Sequence, residues 1–279
     1  DVNFGGKFFE SLEQGRGWVK GWETAIERPL LRKDVPFLEK LSDLLEPSVL
    51  NKLPNGQADL DAIVAAIKHP CCGTSHPFMK NVADHLDDIK HVLNNFDGVP
   101  GFDKVVTVLK NPNFFAQDGA SHLLTKLKSL DPSTVRKLEG KIVDADNLDG
   151  ICTNCLFDIE VEVSPGVIKK LELKSYSTET IGKIATNSKF KNQFKAYLAD
   201  ASNMDGFEYI FNGQKTTDLN NIKQNFKSLF QQENYKIYDD INNVNPGFWN
   251  SLGIDDLGDF ASMVDNLDPN LYKFINILN

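Results

Sequence analysis

The residues of this chain best suited to chemistry are two acids and a lysine, Asp158, Glu172 and Lys174. Asp158 lies in a segment, Phe157–Val163, in which apolar and acidic residues alternate as they do in a strand with one buried face. A Ser-Pro-Gly turn signal follows, and the next segment, Val167–Ser175, carries Glu172 and Lys174 on one face. The sequence therefore predicts a β-hairpin that presents both acids and the lysine together.

The register of this hairpin decides whether the two acids can act together. If Val163 pairs with Val167 across the turn, Asp158 lies directly opposite Glu172, with Cβ atoms about 4.5–5.5 Å apart. Two carboxylates at that distance repel each other unless a positive group lies between them, and a divalent metal with oxygen ligands is the usual solution. Lys174 would lie beside the metal and orient a water or a phosphate. The alternative is a solvated hairpin face whose acids and lysines only pair with one another.

An Asp followed by Glu-x-Lys on the next strand resembles the active-site motif of the PD-(D/E)xK nuclease superfamily. Asp158, Glu172, Leu173 and Lys174 occupy the matching positions, and Phe157 stands where the family name has Pro, a degenerate position in that superfamily. The resemblance implies that Asp158, Glu172 and the carbonyl oxygen of Leu173 hold one Mg²⁺ or Mn²⁺. It also implies that Lys174 orients the attacking water.

The segment that follows the hairpin, residues 188–201, has the apolar spacing of an amphipathic helix. Gln193 lies at the edge of the apolar face, and a helix packed on the hairpin would direct it at the two acids. Many superfamily members carry a Gln or Lys on this helix, so the resemblance assigns Gln193 to the catalytic set. An ordinary polar residue at the boundary of the core is the alternative. Residues 207–213 are then predicted to form a further strand.

The elements before the hairpin should complete the αβββαβ core that the resemblance implies. Residues 132–143 show helical spacing, and Glu139 on this predicted helix would correspond to an acid that some superfamily members contribute, or else is a surface residue. One strand is poorly defined, and residues 148–154 are the only candidate for it. The expected fold is therefore mixed α+β/α/β, a PD-(D/E)xK nuclease core in which helices flank a small mixed sheet.

The chain is long enough for one large domain or two small ones. We expect an all-α N-terminal region over residues 1–125 and a restriction-endonuclease-like domain over residues 126–279, which ends in a helical C-terminal extension from about residue 219. The helical segments predicted in the N-terminal region are 36–45, 60–68, 79–96 and 102–109. The chain has no apolar run long enough for a transmembrane helix.

The distribution of charge bears on nucleic-acid binding. The whole chain is acidic, with a net charge of −9, which repels nucleic acid at long range. Residues 165–195, however, hold seven lysines against two acids, and such lysines supply most non-specific DNA affinity. The candidate nucleic-acid-binding residues are Lys169, Lys170, Ser175, Lys183, Lys189 and Lys191. The sequence shows no base-reading motif, so we expect little sequence specificity.

The four cysteines allow several interpretations. Cys152 and Cys155 form a C-x-x-C just before the strand that carries Asp158, and Cys71 and Cys72 are adjacent. A C-x-x-C can be half a zinc site, a redox pair or a local disulfide. Reduced, partly buried thiols are the preferred interpretation, and one structural zinc site built from all four cysteines is an alternative.

Two further segments, GWVKGWE at residues 17–23 and HPCCGTSHPFMKNV at residues 69–82, precede the hairpin. This layout resembles the C-terminal toxin modules of bacterial polymorphic toxin systems. The resemblance implies a secreted effector that acts in the cytoplasm of a target cell, cuts DNA and is neutralised by a cognate immunity protein. The start at Asp1, without Met, is consistent with a segment of a longer protein.

The predicted function is a Mg²⁺-dependent endodeoxyribonuclease toxin with little sequence specificity and no small-molecule cofactor. Two alternatives remain open. One is an RNase of the same fold, and the other is a non-catalytic binding or adaptor protein in which the hairpin is only a charged surface.

Overall fold

The structure is a computed structural model that describes residues 43–67, 82–142, 152 and 154–278. It divides into two compact units, with the boundary between Ser133 and Thr134. Each unit has its own set of elements. Most of the helix predicted at residues 36–45, as well as Cys71 and Cys72, lies outside the described residues.

The described part of the first unit contains helices and no strand, in keeping with the all-α prediction for the N-terminal region. The α-helices are α1 (Pro47–Leu50), α2 (Gln57–Ile67), α3 (Val82–Phe96), α4 (Phe102–Leu109) and α5 (Phe114–Lys128). The predictions of α2, α3 and α4 are confirmed. Helix α5 was missed because a Gln-Asp-Gly run interrupts its apolar spacing.

The second unit is built on a five-stranded mixed sheet flanked by helices, with the strands in chain order. The strands are β1 (Val135–Lys141), β2 (Leu156–Ser164), β3 (Val167–Lys174), β4 (Phe207–Asn212) and β5 (Ile275–Leu278). Strands β1, β2 and β3 pair antiparallel, whereas β3, β4 and β5 pair parallel. A mixed α/β fold is thus established.

The helix predicted over residues 132–143 is wrong. A short 3₁₀ turn at Pro132–Thr134 leads into strand β1, which pairs with β2. A register shift between Val135 and Lys137 inserts one extra residue, so the buried Val135 and Leu138 are three positions apart on one face. This bulge gives a strand the spacing of a helix turn. Residues 148–151 and 153, in the segment that was the only candidate for the poorly defined strand, lie outside the described residues.

The predicted hairpin is confirmed as β2 and β3, with one correction at the turn. Val167 pairs with Ser164 and not with Val163, because the register shifts between Glu162 and Ser164. Before this shift the pairing is the expected one, with Ile159 opposite Leu171. Continuing that register by one residue places Asp158 opposite Glu172.

Six helices belong to the second unit, and one of them, α7, carries Gln193. They are α6 (Lys183–Thr186), α7 (Ser188–Asp200), α8 (Leu219–Phe230), α9 (Gln232–Val244), α10 (Gly247–Asn250) and α11 (Leu257–Asp265), counted over residues 154–278. The predictions of α7 and of strand β4 are confirmed. The mostly helical C-terminal extension is confirmed as well, except that strand β5 was not predicted.

An aromatic cluster fixes α7 against the sheet. The ring of Phe194 lies 5.7 Å from that of Tyr209 on β4, 5.2 Å from that of Phe226 on α8 and 5.3 Å from that of Phe274, centroid to centroid. These rings bury a large apolar area and prefer tilted or edge contacts. Because the cluster sets the rotation of α7 about its axis, it also sets where Gln193, the preceding residue, points. None of the described helices is long and apolar enough to cross a membrane.

Candidate active site

The hairpin brings the two acids to one place. The Asp158 carboxylate accepts a hydrogen bond from the backbone N–H of Leu173, 2.6 Å from Oδ2. Glu172 is buried, with 3% of its surface exposed. Its Oε2 accepts a hydrogen bond from the Tyr197 hydroxyl at 2.7 Å, and its Oε1 lies 2.5 Å from the Lys174 ammonium. Both oxygens of this buried carboxylate are therefore held by side chains.

Lys174 and Gln193 complete the cluster. The Lys174 ammonium donates to Gln193 Oε1 at 3.0 Å, and it also lies 5.5 Å from the centroid of the Phe190 ring. The Gln193 amide in turn donates to the Leu156 carbonyl at 2.9 Å. Helix α7 thus ties the lysine to the start of β2. The structure brings together all four residues that the sequence assigned to the catalytic set.

The electrostatics of the site show an excess of negative charge. Burial raises the pKa of Asp158 well above its usual value, and the charges of Glu172 and Glu139 raise this pKa further. Burial alone would lower the pKa of Lys174, but Glu172 and Asp158 outweigh it and hold that pKa above its usual value. One ammonium therefore does not neutralise the acids around it, and the site favours an additional positive charge.

Glu139 also belongs to this cluster, and it lies on an element that the sequence predicts incorrectly. It lies on strand β1 and not on a helix. Its neighbours in β1 pair with Ile159 and Phe157, which places Glu139 opposite Asp158. Its φ of 47° lies in the left-handed region, which is uncommon for a residue other than glycine. The acid that the resemblance implied is thus near the site, although it comes from a strand.

Tyr197 is a site residue that the sequence reasoning missed. The apolar spacing of α7 assigned it to the buried face, and it is buried, but its hydroxyl donates to Glu172. Tyr197 lies four residues after Gln193, so the two share a face of the helix. That spacing, in the predicted helix beside the hairpin, is the signal that could have found it.

Replacing Tyr197 with Phe should lower the free energy of unfolding by about 1.5–3 kcal/mol, since a buried carboxylate loses a hydrogen bond. Tyr235→Phe is a matched control, because the Tyr235 hydroxyl donates to Asp265 in an exposed setting. That control should lose no more than about 1 kcal/mol. Urea unfolding of both variants measures the difference, and equal losses would contradict the buried role of Tyr197.

Most of the lysines in residues 165–195 form ion pairs with acids in the folded chain. Five of the seven lysines pair with acids, and four of those acids come from segments outside that stretch. The pairs are Lys169–Glu208, Lys170–Asp200, Lys174–Glu172, Lys191–Glu233 and Lys195–Asp240. A count over a sequence window misses such partners because they become neighbours only on folding.

The remaining candidates for nucleic-acid binding have different surroundings. The Ser175 hydroxyl accepts a hydrogen bond from the Asn212 amide at 3.1 Å. Lys183 and Lys189 are exposed. Lys189 makes no ion pair with any residue that the structure describes, and it lines the same cavity as Asp158.

An open cavity of about 740 Å³ lies beside the acids. Asp158, Lys174 and Gln193 line it, together with Cys152 and Cys155. These two cysteines form a disulfide, so the preferred interpretation as reduced thiols is wrong for this pair. Their Cα atoms are 5.7 Å apart, a separation that suits a disulfide. Two cysteines bonded to each other are not available to a four-cysteine zinc site.

The donors at the site fit a hard divalent cation. Within the described residues, no group of three or more Cys, His, Asp or Glu side chains is arranged to hold a metal. Mg²⁺, however, commonly takes only one or two protein carboxylates, with water and substrate phosphate as further ligands. Asp158, Glu172 and a backbone carbonyl such as that of Leu173 are the corresponding set here. Burial, followed by the charges of Glu172 and Glu139, raises the pKa of Asp158, and a cation bound between the acids would offset the repulsion among them.

A scan against protein-family models and searches of curated protein sequences and of solved structures give no match. The functional interpretation therefore depends on the geometry of the site.

Proposed function

We propose that this protein is a metal-dependent nuclease that hydrolyses phosphodiester bonds. The observation that supports it is the convergence of Asp158, Glu172, Lys174 and Gln193 beside an open cavity of about 740 Å³. A cluster that only stabilised the fold would not need a buried acid opposite a second acid at the wall of a cavity. Strongly perturbed ionisable groups in a cleft are typical of functional sites.

The roles follow from the contacts. Asp158 and Glu172 would hold the cation, which polarises the scissile phosphate and lowers the pKa of a bound water. Lys174, whose raised pKa keeps it positive, would orient the attacking water and stabilise the charge that develops on the phosphate oxygens. Gln193 fixes the ammonium through its side-chain oxygen, and Tyr197 fixes the carboxylate of Glu172.

Incubation of the purified protein with plasmid DNA, both native and heat-denatured, and with total RNA tests this function. We expect cleavage that requires Mg²⁺ or Mn²⁺ and stops with EDTA, since the acids need a cation between them. Cleavage of DNA supports the deoxyribonuclease, and cleavage of RNA alone supports the RNase of the same fold. No metal-dependent cleavage of either substrate would contradict the proposal and favour a binding or adaptor protein.

The biological setting is also a proposal, supported only by the layout of residues 17–23, residues 69–82 and the hairpin. On that basis we propose a secreted antibacterial effector that acts in the cytoplasm of a target cell and is neutralised by an immunity protein.

A further inference from the structure

We infer that the cavity beside Asp158 binds an unpaired nucleotide, so that the substrate is single-stranded or locally unpaired nucleic acid. This inference depends on the proposed nuclease function and names its substrate class. Four features of the described part of the second unit support it: the size of the cavity, an aromatic side chain in its wall, polar groups without partners among the described residues, and the pairing of most lysines of residues 165–195 with acids.

The size of the cavity suits a nucleotide. Its volume of about 740 Å³ lies within the range of roughly 300–1,000 Å³ that is typical of small-molecule sites. A flat surface would serve an intact duplex, whose bases are stacked inside and whose phosphates lie outside. A cavity of this volume beside the scissile position instead accommodates a base that has left its stack.

The aromatic side chain is Tyr176, two residues after Lys174. It is half-buried and lines the cavity, and its ring lies 6.3 Å from that of Phe190, centroid to centroid. A base can stack on such a ring whatever its identity, and one stacked base is worth roughly 1–3 kcal/mol. Stacking therefore binds an unpaired base without requiring a particular sequence, in agreement with the missing base-reading motif.

In addition to Tyr176, polar side chains without partners among the described residues line the cavity. The side-chain amides of Asn154 and Asn192 make no hydrogen bond with any residue in the described ranges. Lys189 also lines the cavity, and its ammonium makes no ion pair with any described residue. Amide groups match the donors and acceptors of a base edge, and an ammonium matches a phosphate oxygen. The base of one nucleotide would therefore form hydrogen bonds in this cavity, and its phosphate would form an ion pair.

The surface around the cavity is poorly suited to a duplex. Duplex binding depends on several lysines or arginines that neutralise phosphates along the backbone. Lys169, Lys170 and Lys191, which the sequence offered for that purpose, pair with Glu208, Asp200 and Glu233. The chain as a whole carries a net charge of −9. Within the described residues, we therefore expect affinity to depend on the cavity, which a base can enter only when it is unpaired.

Binding and cleavage of labelled oligonucleotides test the inference separately from the nuclease function. Fluorescence anisotropy with the wild-type protein in EDTA compares one sequence as single-stranded DNA, as single-stranded RNA and as duplex DNA. Cleavage of the same probes is then measured with Mg²⁺. We expect tighter binding, by tenfold or more (about the effect of one stacked base), and faster cleavage of a single strand than of the duplex. Equal or stronger binding of the duplex would overturn the inference even if the protein cleaves it.

Substitutions of residues that line the cavity test whether the base and the phosphate bind there. Tyr176→Ala should weaken binding of the single strand by roughly tenfold, whereas Tyr176→Phe, which keeps the ring, should not. Lys189→Ala should weaken it as well, whereas Lys273→Ala, at an exposed ion pair with Asp205, should not. A preference for the single strand that survives Tyr176→Ala and Lys189→Ala unchanged would show that the base binds elsewhere. Preferential binding without cleavage would refute the nuclease and leave the cavity as a binding site.

Discussion

Replacing Asp158 with Asn is expected to make the protein more stable at neutral pH and to abolish cleavage. The pKa of Asp158 is raised in the folded state by burial and by the charges of Glu172 and Glu139. The folded state therefore binds the proton more tightly than the unfolded state, and the free energy of unfolding falls as pH rises through that interval. Asn removes the charge and can still accept the hydrogen bond from Leu173. The melting temperature should rise by roughly 2–4 °C for each kcal/mol of repulsion removed.

The pH dependence and a matched control make this expectation specific. The difference in melting temperature between Asp158→Asn and the wild type should shrink as the pH is lowered, because Asp158 then takes up its proton. Asp205→Asn removes an exposed carboxylate that pairs with Lys273, so it should not stabilise the protein at any pH. A variant at Asp158 that is less stable than the wild type at neutral pH would contradict the crowding of acids at the site.

Replacing Lys174 with Ala should impair both catalysis and folding. The rate should fall by about 100- to 1,000-fold, which is the usual effect of losing one group that stabilises developing charge. The free energy of unfolding should fall by about 3–5 kcal/mol, because the buried carboxylate of Glu172 loses its counterion. From the motif alone, we would expect Lys174→Ala to lose only activity. Because this ion pair is buried, we expect the variant to lose stability as well. Urea unfolding and the cleavage rate measure the two effects.

A second substitution separates the two effects of Lys174→Ala. In the double variant Glu172→Gln/Lys174→Ala the uncompensated charge is gone, so most of the lost stability should return while the cleavage rate stays at or below that of Lys174→Ala. Lys273→Ala, which removes an exposed lysine, should change the free energy of unfolding by less than about 0.5 kcal/mol. If Lys174→Ala unfolds at the wild-type urea concentration, the pair it forms with Glu172 is not the buried contact described above.

Local patterns were enough to predict the part of the site that comes from neighbouring residues. The alternation in β2, the turn signal and the spacing in α7 are properties of short segments, and they placed Asp158, Glu172, Lys174 and Gln193 correctly relative to one another. The register near the acids followed from the hairpin even though the pairing at the turn differs by one residue.

The features that depend on distant segments could not be predicted in the same way. The sequence of strand β1 predicts a helix because a bulge gives its buried residues a spacing of three, and only its pairing with β2 reveals a strand. Gly140 on β1 depends on the same pairing, since a Cβ there would lie 2.3 Å from the Phe157 ring. The ion pair between Lys169 and Glu208 joins residues that are 39 positions apart in the sequence. Such partners have no signature in a sequence window.

The measurement that tests the central claim most directly is the cleavage rate of one labelled single-stranded oligonucleotide in Mg²⁺, for the wild type and for Asp158→Asn. The melting temperature of each protein is recorded in the same buffer with EDTA in place of Mg²⁺, so that no bound cation offsets the repulsion between the acids. We predict cleavage by the wild type and none by the variant, although the variant melts at the higher temperature. Equal cleavage by the two proteins would contradict the assignment of this cluster as the catalytic centre.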